Sequence, residues 1–240
     1  MKRIALLTIF ACTLMLSCDY IDGERVKGSG NIKTEDRPLT NFSSVSSYGE
    51  FDIYLTQGQS FVVRIEAEDN LLPYIETVVE NGELKINTKD GYWLSNKRDM
   101  KIYVTAPAYS KVQTFGSGNI MTDSKLTNTS TMLLALYGSG DIKADLNAPE
   151  VTAEVHGSGN IDLRGETRNF EGNVRGSGDI HANELKAENV TVDIAGSGNA
   201  DVFASVKLNV DIAGSGEVRY RGEAQVSSDI AGSGSVKKVE

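Results

Sequence analysis

Cysteine is nearly absent from this chain: there are two, Cys12 and Cys18, and both lie close to the N-terminus. The body that follows can form neither a disulfide nor a thiolate metal site, so its stability must rest on packing. Histidine is as scarce, with only His156 and His181. Both fall on outward-facing columns of the repeat described below, one or two residues from a turn. With no nucleophile and no orienting acid assigned beside them in a cleft, they read as surface residues rather than catalytic bases. Basic charge is in deficit, with 24 Lys and Arg against 33 Asp and Glu for a net charge of −9. Without Lys2 and Arg3 the balance falls to 22 against 33, a net of −11. That field repels phosphate backbones, so nucleic acid is not an expected partner. Long apolar runs are missing after Ile4 to Leu16, which is itself short for a membrane span. No Pro-, Gly- or Ser-rich linker divides the rest.

What is present begins with an address. In "MKRIALLTIFACTLMLSC", Lys2 and Arg3 precede the apolar run, and Ser17 and Cys18 follow it, the layout of an export signal. The "MLSC" ending resembles a bacterial lipobox, with Met15 where leucine is usual. On that reading Cys18 is the lipidated first residue of the mature protein. A membrane is then a partner through a lipid anchor, and the location is the outer membrane, facing either the cell surface or the periplasm.

The second feature is repetition. The triplet GSG begins at Gly28, Gly116, Gly138, Gly157, Gly176, Gly196, Gly214 and Gly232, and from the second copy the steps are 22, 19, 19, 20, 18 and 18 residues. Two places before the triplet stand Thr114, Leu136, Val155, Val174, Ile194, Ile212 and Ile230. Four places before it stand Val112, Leu134, Ala153, Gly172, Val192, Val210 and Ser228. The columns between are polar or small, so each copy carries a period-2 strand with one buried face. After the triplet comes a polar residue and then Ile120, Ile142, Ile161, Ile180, Ala200, Val218 or Val236, the start of a second short strand. A unit this short has no room for a crossover helix, so the coils stack strand on strand as an all-β parallel solenoid. At ~4.8 Å per rung, seven copies make a stack roughly 30 Å tall. The glycines permit positive φ and let successive corners lie on one another.

Residues 39–110 read as longer alternating strands, "GEFDIYLTQGQSFVVRIEAE", "NGELKINTK" and "MKIYVTAP", with a short helical turn at Glu68 to Glu76. They are expected to form irregular rungs or a small sheet that covers the first open end of the solenoid. The expected organisation is therefore residues 1–18 as signal, 19–38 as a tether holding the first GSG copy, and 39–240 as solenoid, irregular over 39–110 and regular over 111–240.

The export signal, "GEFDIYLTQG", "VRIEAEDNLLPYIETVVENGELKI", the "VTAP" strand end and the serial "GSGNI" or "GSGDI" turns together resemble the putative auto-transporter adhesin, head-GIN domain family, common in Bacteroidetes. The resemblance spans about Leu39 to Val236. It implies a single-stranded right-handed β-helix on an exported protein with an adhesive role, and it carries over no catalytic residues. The pattern of a C-terminal membrane barrel is not seen, so lipidation at Cys18 is the expected anchor.

Four groups of residues are candidates for chemistry. A phosphate loop would need a helix N-terminus after its glycines, and "GSGNIDLRG" supplies a strand. In the column after GSG, Asn119, Asp141, Asn160, Asp179, Asn199, Glu217 and Ser235 never place two acids in adjacent rungs, which suits a hydrogen-bonded amide ladder. Asp193, Asp211 and Asp229 do stand in successive rungs; they are either a solvated or partner-facing acidic stripe or a weak site for a divalent cation. Tyr92, Trp93, Lys97 and Arg98 in "KDGYWLSNKRD" are either a stacking platform for a sugar or protein ligand or a plug on the core. No cofactor is expected. The resulting expectation is a non-enzymatic exported lipoprotein whose solenoid face binds glycan or protein. The alternative is a carbohydrate-active enzyme on a β-helix, with pairs such as Asp162 and Arg164 in catalytic roles.

Overall fold

The computed structural model describes residues 23–240, so Cys18 and the export segment lie outside the described residues. From Lys111 onward the chain winds as a parallel β-solenoid of about seven turns. Strand Lys111–Gly116 pairs parallel with Thr131–Gly138, and the register carries Gly116 onto Gly138, Gly157, Gly176, Gly196, Gly214 and Gly232 in turn. The second strand of one coil often runs unbroken into the first strand of the next, as in Asp141–Gly157, Asn160–Gly176 and Asp179–Gly196. The apolar columns are the core: Ile120, Ile142, Ile161 and Ile180 lie over one another and are buried. Each such side chain contributes about 1.5–3 kcal/mol by leaving water.

The corner is where glycine is required. Gly138 has φ 145°, and a Cβ there would lie 2.1 Å from the Gly116 carbonyl oxygen one rung below. A Cβ on Gly159 would lie 1.9 Å from the Gly140 oxygen. Both distances are far inside contact, so the triplet repeats because corners stack. The amide ladder beside it forms as the column suggests. Asn160 donates from its side chain to Asp141 at 3.0 Å, Asn199 to Asp179 at 3.0 Å, and the Glu217 N–H donates to Asn199 Oδ1 at 3.1 Å.

The first half builds two further rungs and a lid. Ser44–Gly49 and Asp52–Gln57 form a rung in register with Lys111–Gly116 and Ile120–Thr122. Its corner reads Gly49-Glu50-Phe51, with the fully buried Phe51 where later corners have their second glycine. On its far side lie Glu83–Thr88 and Lys101–Ala106, which pair parallel with it but are joined by the loop that holds Tyr92–Ser95 instead of a tight corner. With no corner stacked beneath, Phe51 has room. The chain then crosses back over this rung at Tyr109, whose buried hydroxyl donates to the Val104 and Thr56 carbonyls at 2.9 and 3.1 Å.

Beyond these rungs the pairing turns antiparallel. Val62–Glu68 runs against Lys101–Ala106, Ile75–Glu80 against Glu83–Thr88, and Ile32–Arg37 against Val62–Glu68. The helical turn shrinks to one 3₁₀ turn at Leu72–Tyr74. Residues 23–38, expected as a tether, contain two strands, Glu24–Lys27 against Tyr92–Ser95 and Ile32–Arg37 in the lid. The first GSG copy is not a solenoid corner. The Gly30 N–H donates to the buried Glu68 carboxylate at 2.5 Å, the Ser29 hydroxyl to Asp69 at 2.5 Å, and the Ser29 N–H to Asn70 at 2.8 Å.

Candidate binding faces beside the corners

Strand alternation sends the residue before each corner outward. The register makes one column of Tyr48, Phe115, Tyr137, His156, Arg175, Ala195, Ala213 and Ala231. Its first four members are stacked rings, with centroids 4.7, 4.7 and 4.8 Å apart and planes within 6°, 3° and 15°. The spacing is that of the rungs, so the backbone pitch itself sets the stack. The Tyr137 hydroxyl donates to Glu154 at 3.3 Å, and burial together with the Glu154 charge pushes that hydroxyl's pKa up. His156, an isolated surface histidine by sequence, is the last ring of the ladder. This ladder was missed in the sequence, although the column immediately before GSG reads Phe115, Tyr137, His156.

At Arg175 the rings stop, and the three alanines leave a shelf. Beside it stand Asn173, Asp193, Asp211 and Asp229, and together the two columns line a groove of about 370 Å³ running along the stack. The register places Asp193, Asp211 and Asp229 in line on adjacent rungs. Burial first, and then the charges of Asp211 and Glu171, raise the pKa of Asp193 against the opposing pull of Arg175. Among the described residues no three His, Cys, Asp or Glu side chains are grouped so as to hold a metal ion.

A second groove, of about 510 Å³, follows the strand after the corner and gathers Lys143, Asp145, Asp162, Arg164, His181 and Glu184. Asp162, Arg164 and His181 are thus brought together, yet each of the three is engaged by a partner on another rung. Lys143 meets Asp162 at 3.4 Å, Arg164 meets Asp145 at 3.3 Å, and His181 meets Asp201 at 3.1 Å. Arg219 closes on the same Asp201 at 2.6 Å.

The aromatic loop is split by its own strand. Tyr92 leans on Tyr74 with ring centroids 4.6 Å apart, while Trp93, one residue on and 42% exposed, lies under the Arg25 guanidinium at 4.7 Å. Adjacent residues of a strand point to opposite faces, so the two rings do not make one platform. The Lys97 N–H donates to Glu68 at 2.8 Å, and the Lys97 and Arg98 side chains are exposed.

No curated protein matches the chain. Among solved structures it is 29% identical to a "putative lipid binding protein" from Parabacteroides distasonis ATCC 8503, with TM-score 0.76 over 90% of this chain and 100% of that one. A "putative adhesin" from the same strain is 25% identical, with TM-score 0.73 over 90% and 100%. A "putative adhesin" from Bacteroides fragilis NCTC 9343 is 23% identical, with TM-score 0.82 over 89% and 100%, and shares the fold. The family described as putative auto-transporter adhesin, head GIN domain, matches residues 41–224, and to that family the chain belongs.

Proposed function

We propose that the protein is an exported, non-enzymatic lipoprotein, anchored through Cys18, that binds an extended basic ligand along the groove flanked by Asp193, Asp211 and Asp229. The observation that carries this is the change along one face, from a filled ring ladder to an alanine shelf with one carboxylate per rung. A linear partner meets the same chemistry at every rung, which suits adhesion better than a single turnover site. The adhesin description of the family supports the reading. In the second groove, Asp162 and Arg164, the pair considered for catalysis, are engaged in ion pairs along the stack, and His181 is hydrogen-bonded to Asp201.

Fluorescence anisotropy with a labelled oligolysine peptide tests the groove. Binding should weaken as salt rises and be lost in the triple variant Asp193→Asn, Asp211→Asn, Asp229→Asn. Equal binding by parent and triple variant would sink the assignment of this face. Anchoring is tested separately: Cys18→Ala should release the protein from the membrane fraction and abolish palmitate labelling. A parent that stays membrane-bound without label would show that something other than Cys18 holds it.

A further inference from the structure

The last rung, Gln225–Gly232 with Ser235–Lys238, is paired on one edge only. Gln225–Gly232 bonds to Ala200–Gly214, Ser235–Lys238 bonds to Glu217–Arg221, and among the described residues no strand takes the outer edge of either. Val226, Ser228 and Ile230 continue the inward columns of Leu208, Val210 and Ile212. There the core comes to the surface: Val226 and Ile230 are each 37% exposed, against 0% for Leu208 and 2% for Ile212. A row of free backbone donors and acceptors lined with aliphatic side chains is a template for another strand.

The geometry points to a second copy of this chain as the occupant, joined end to end about a two-fold axis. The opposite end is a poor partner. Its edge strands, Ile32–Arg37 and Ile75–Glu80, expose Ile32 and Val78 but set them among Lys33, Glu35, Asp36, Arg37, Glu76 and Glu80, and a head-to-tail contact would not close. Two copies of the C-terminal edge match each other. A two-fold axis perpendicular to the stack turns identical strands antiparallel while keeping inward faces inward. With the axis at Ser228, Val226 lies opposite Ile230 of the second copy, Ser228 opposite Ser228, and Ser227 opposite Asp229. The aliphatic residues are covered, the carboxylate faces a hydroxyl, and the two Asp229 side chains are kept apart. The contact shares Asp229 with the acidic groove, but Val226 and Ile230, on which the contact turns, do not line that groove.

The test is the mass of the full chain in detergent by light scattering, from dilute to concentrated. Two copies are expected, falling to one on dilution, with a melting midpoint that rises with concentration. Ile230→Lys, at a side chain exposed in the monomer, should give one copy throughout while keeping its far-UV circular dichroism. Val226→Lys should do the same and stands in if the first variant misfolds. In a Cys12→Ser, Cys18→Ser background, Ser228→Cys should oxidise to a covalent dimer and Ser227→Cys should not, because only the residue on the axis meets itself within disulfide reach. A single copy at every concentration overturns the proposal, and so does a mass that grows without limit. A dimer untouched by both lysine variants places the contact elsewhere, and a dimer they break but Ser228→Cys does not cross-link overturns the register.

Discussion

The two ends of this solenoid solve the same problem differently. At the N-terminal end two parallel rungs are followed by three antiparallel strands, and the outermost edges carry charge. At the other end, among the described residues, the last rung has its interior columns facing water. Ile212 and Ile230 occupy the same place in the same phrase, "DIAGSG", one rung apart, and one is core while the other is surface. A repeat residue therefore has no fixed energetic weight. What it contributes depends on whether a rung lies on each side of it.

The largest test of that statement is a pair of substitutions. Ile212→Asp should cost several kcal/mol by burying an unpaired charge. Ile230→Asp, measured on dilute protein, should cost under about 1 kcal/mol because its site is already wet. Urea melts that coincide for the two would mean that the last rung is covered in solution. The corner gives the next contrast. Gly159→Ala drives a Cβ to 1.9 Å from the Gly140 oxygen and should cost about 3 kcal/mol. Gly30→Ala, in the first GSG copy, meets nothing within 4 Å and has only its φ of 93° to overcome, so about 1 kcal/mol is expected. Equal losses would show that the first copy is packed as a corner after all.

A smaller effect lies under the lid. Glu68 accepts hydrogen bonds from the Gly30 and Lys97 N–H groups. Glu68→Gln should weaken both, by about 1–2 kcal/mol, because hydrogen bonds to a charged acceptor are the stronger kind. Amide exchange should then speed up at Gly30 and Lys97 and stay unchanged in the regular rungs. Acceleration throughout would mean that the lid and the coils unfold as one unit.

The smallest effect concerns the acidic groove. The folded-state pKa of Asp193 is raised, by burial and then by Asp211 and Glu171. Its ionised form is thus less welcome in the folded chain than in the unfolded one. The penalty is full above the folded pKa and vanishes as pH falls below the unfolded value. Asp193→Asn should accordingly stabilise by a few tenths of a kcal/mol at neutral pH, a gain that shrinks to nothing in acid. The check is the difference between parent and variant melts across that range. A variant less stable than the parent at neutral pH would show that the carboxylate is held by a partner or ion.

The coils were legible because their constraint is local. Each corner must admit a backbone at van der Waals distance, which only glycine allows, so the chain spells the same triplet wherever corners stack. Inward columns were legible through period 2, and the Asn/Asp column through the electrostatics of stacked acids. The surroundings of the first GSG copy were not legible because the same three residues also suit a loop around a carboxylate, and nothing in the triplet names Glu68. The ring ladder went unread because Tyr48 belongs to a corner spelled "GEF", and Phe115, Tyr137 and His156 differ in type. Only alignment by rung shows that they share a column.

The sequence by itself determined the repeat, the strand faces and the corner, because these follow from neighbours a fixed number of residues away. The order of the early rungs needed tertiary structure. Glu83–Ala106 lies outside Ser44–Gln57 while Lys111–Thr122 lies inside it, and such a crossing depends on contacts between segments far apart in the chain. The groove also needed it, since a shelf exists only where small side chains from three separate coils fall into line. So did the open last rung. Its residues are spelled like those of the core, and they are surface because, among the described residues, no rung lies on their outer side.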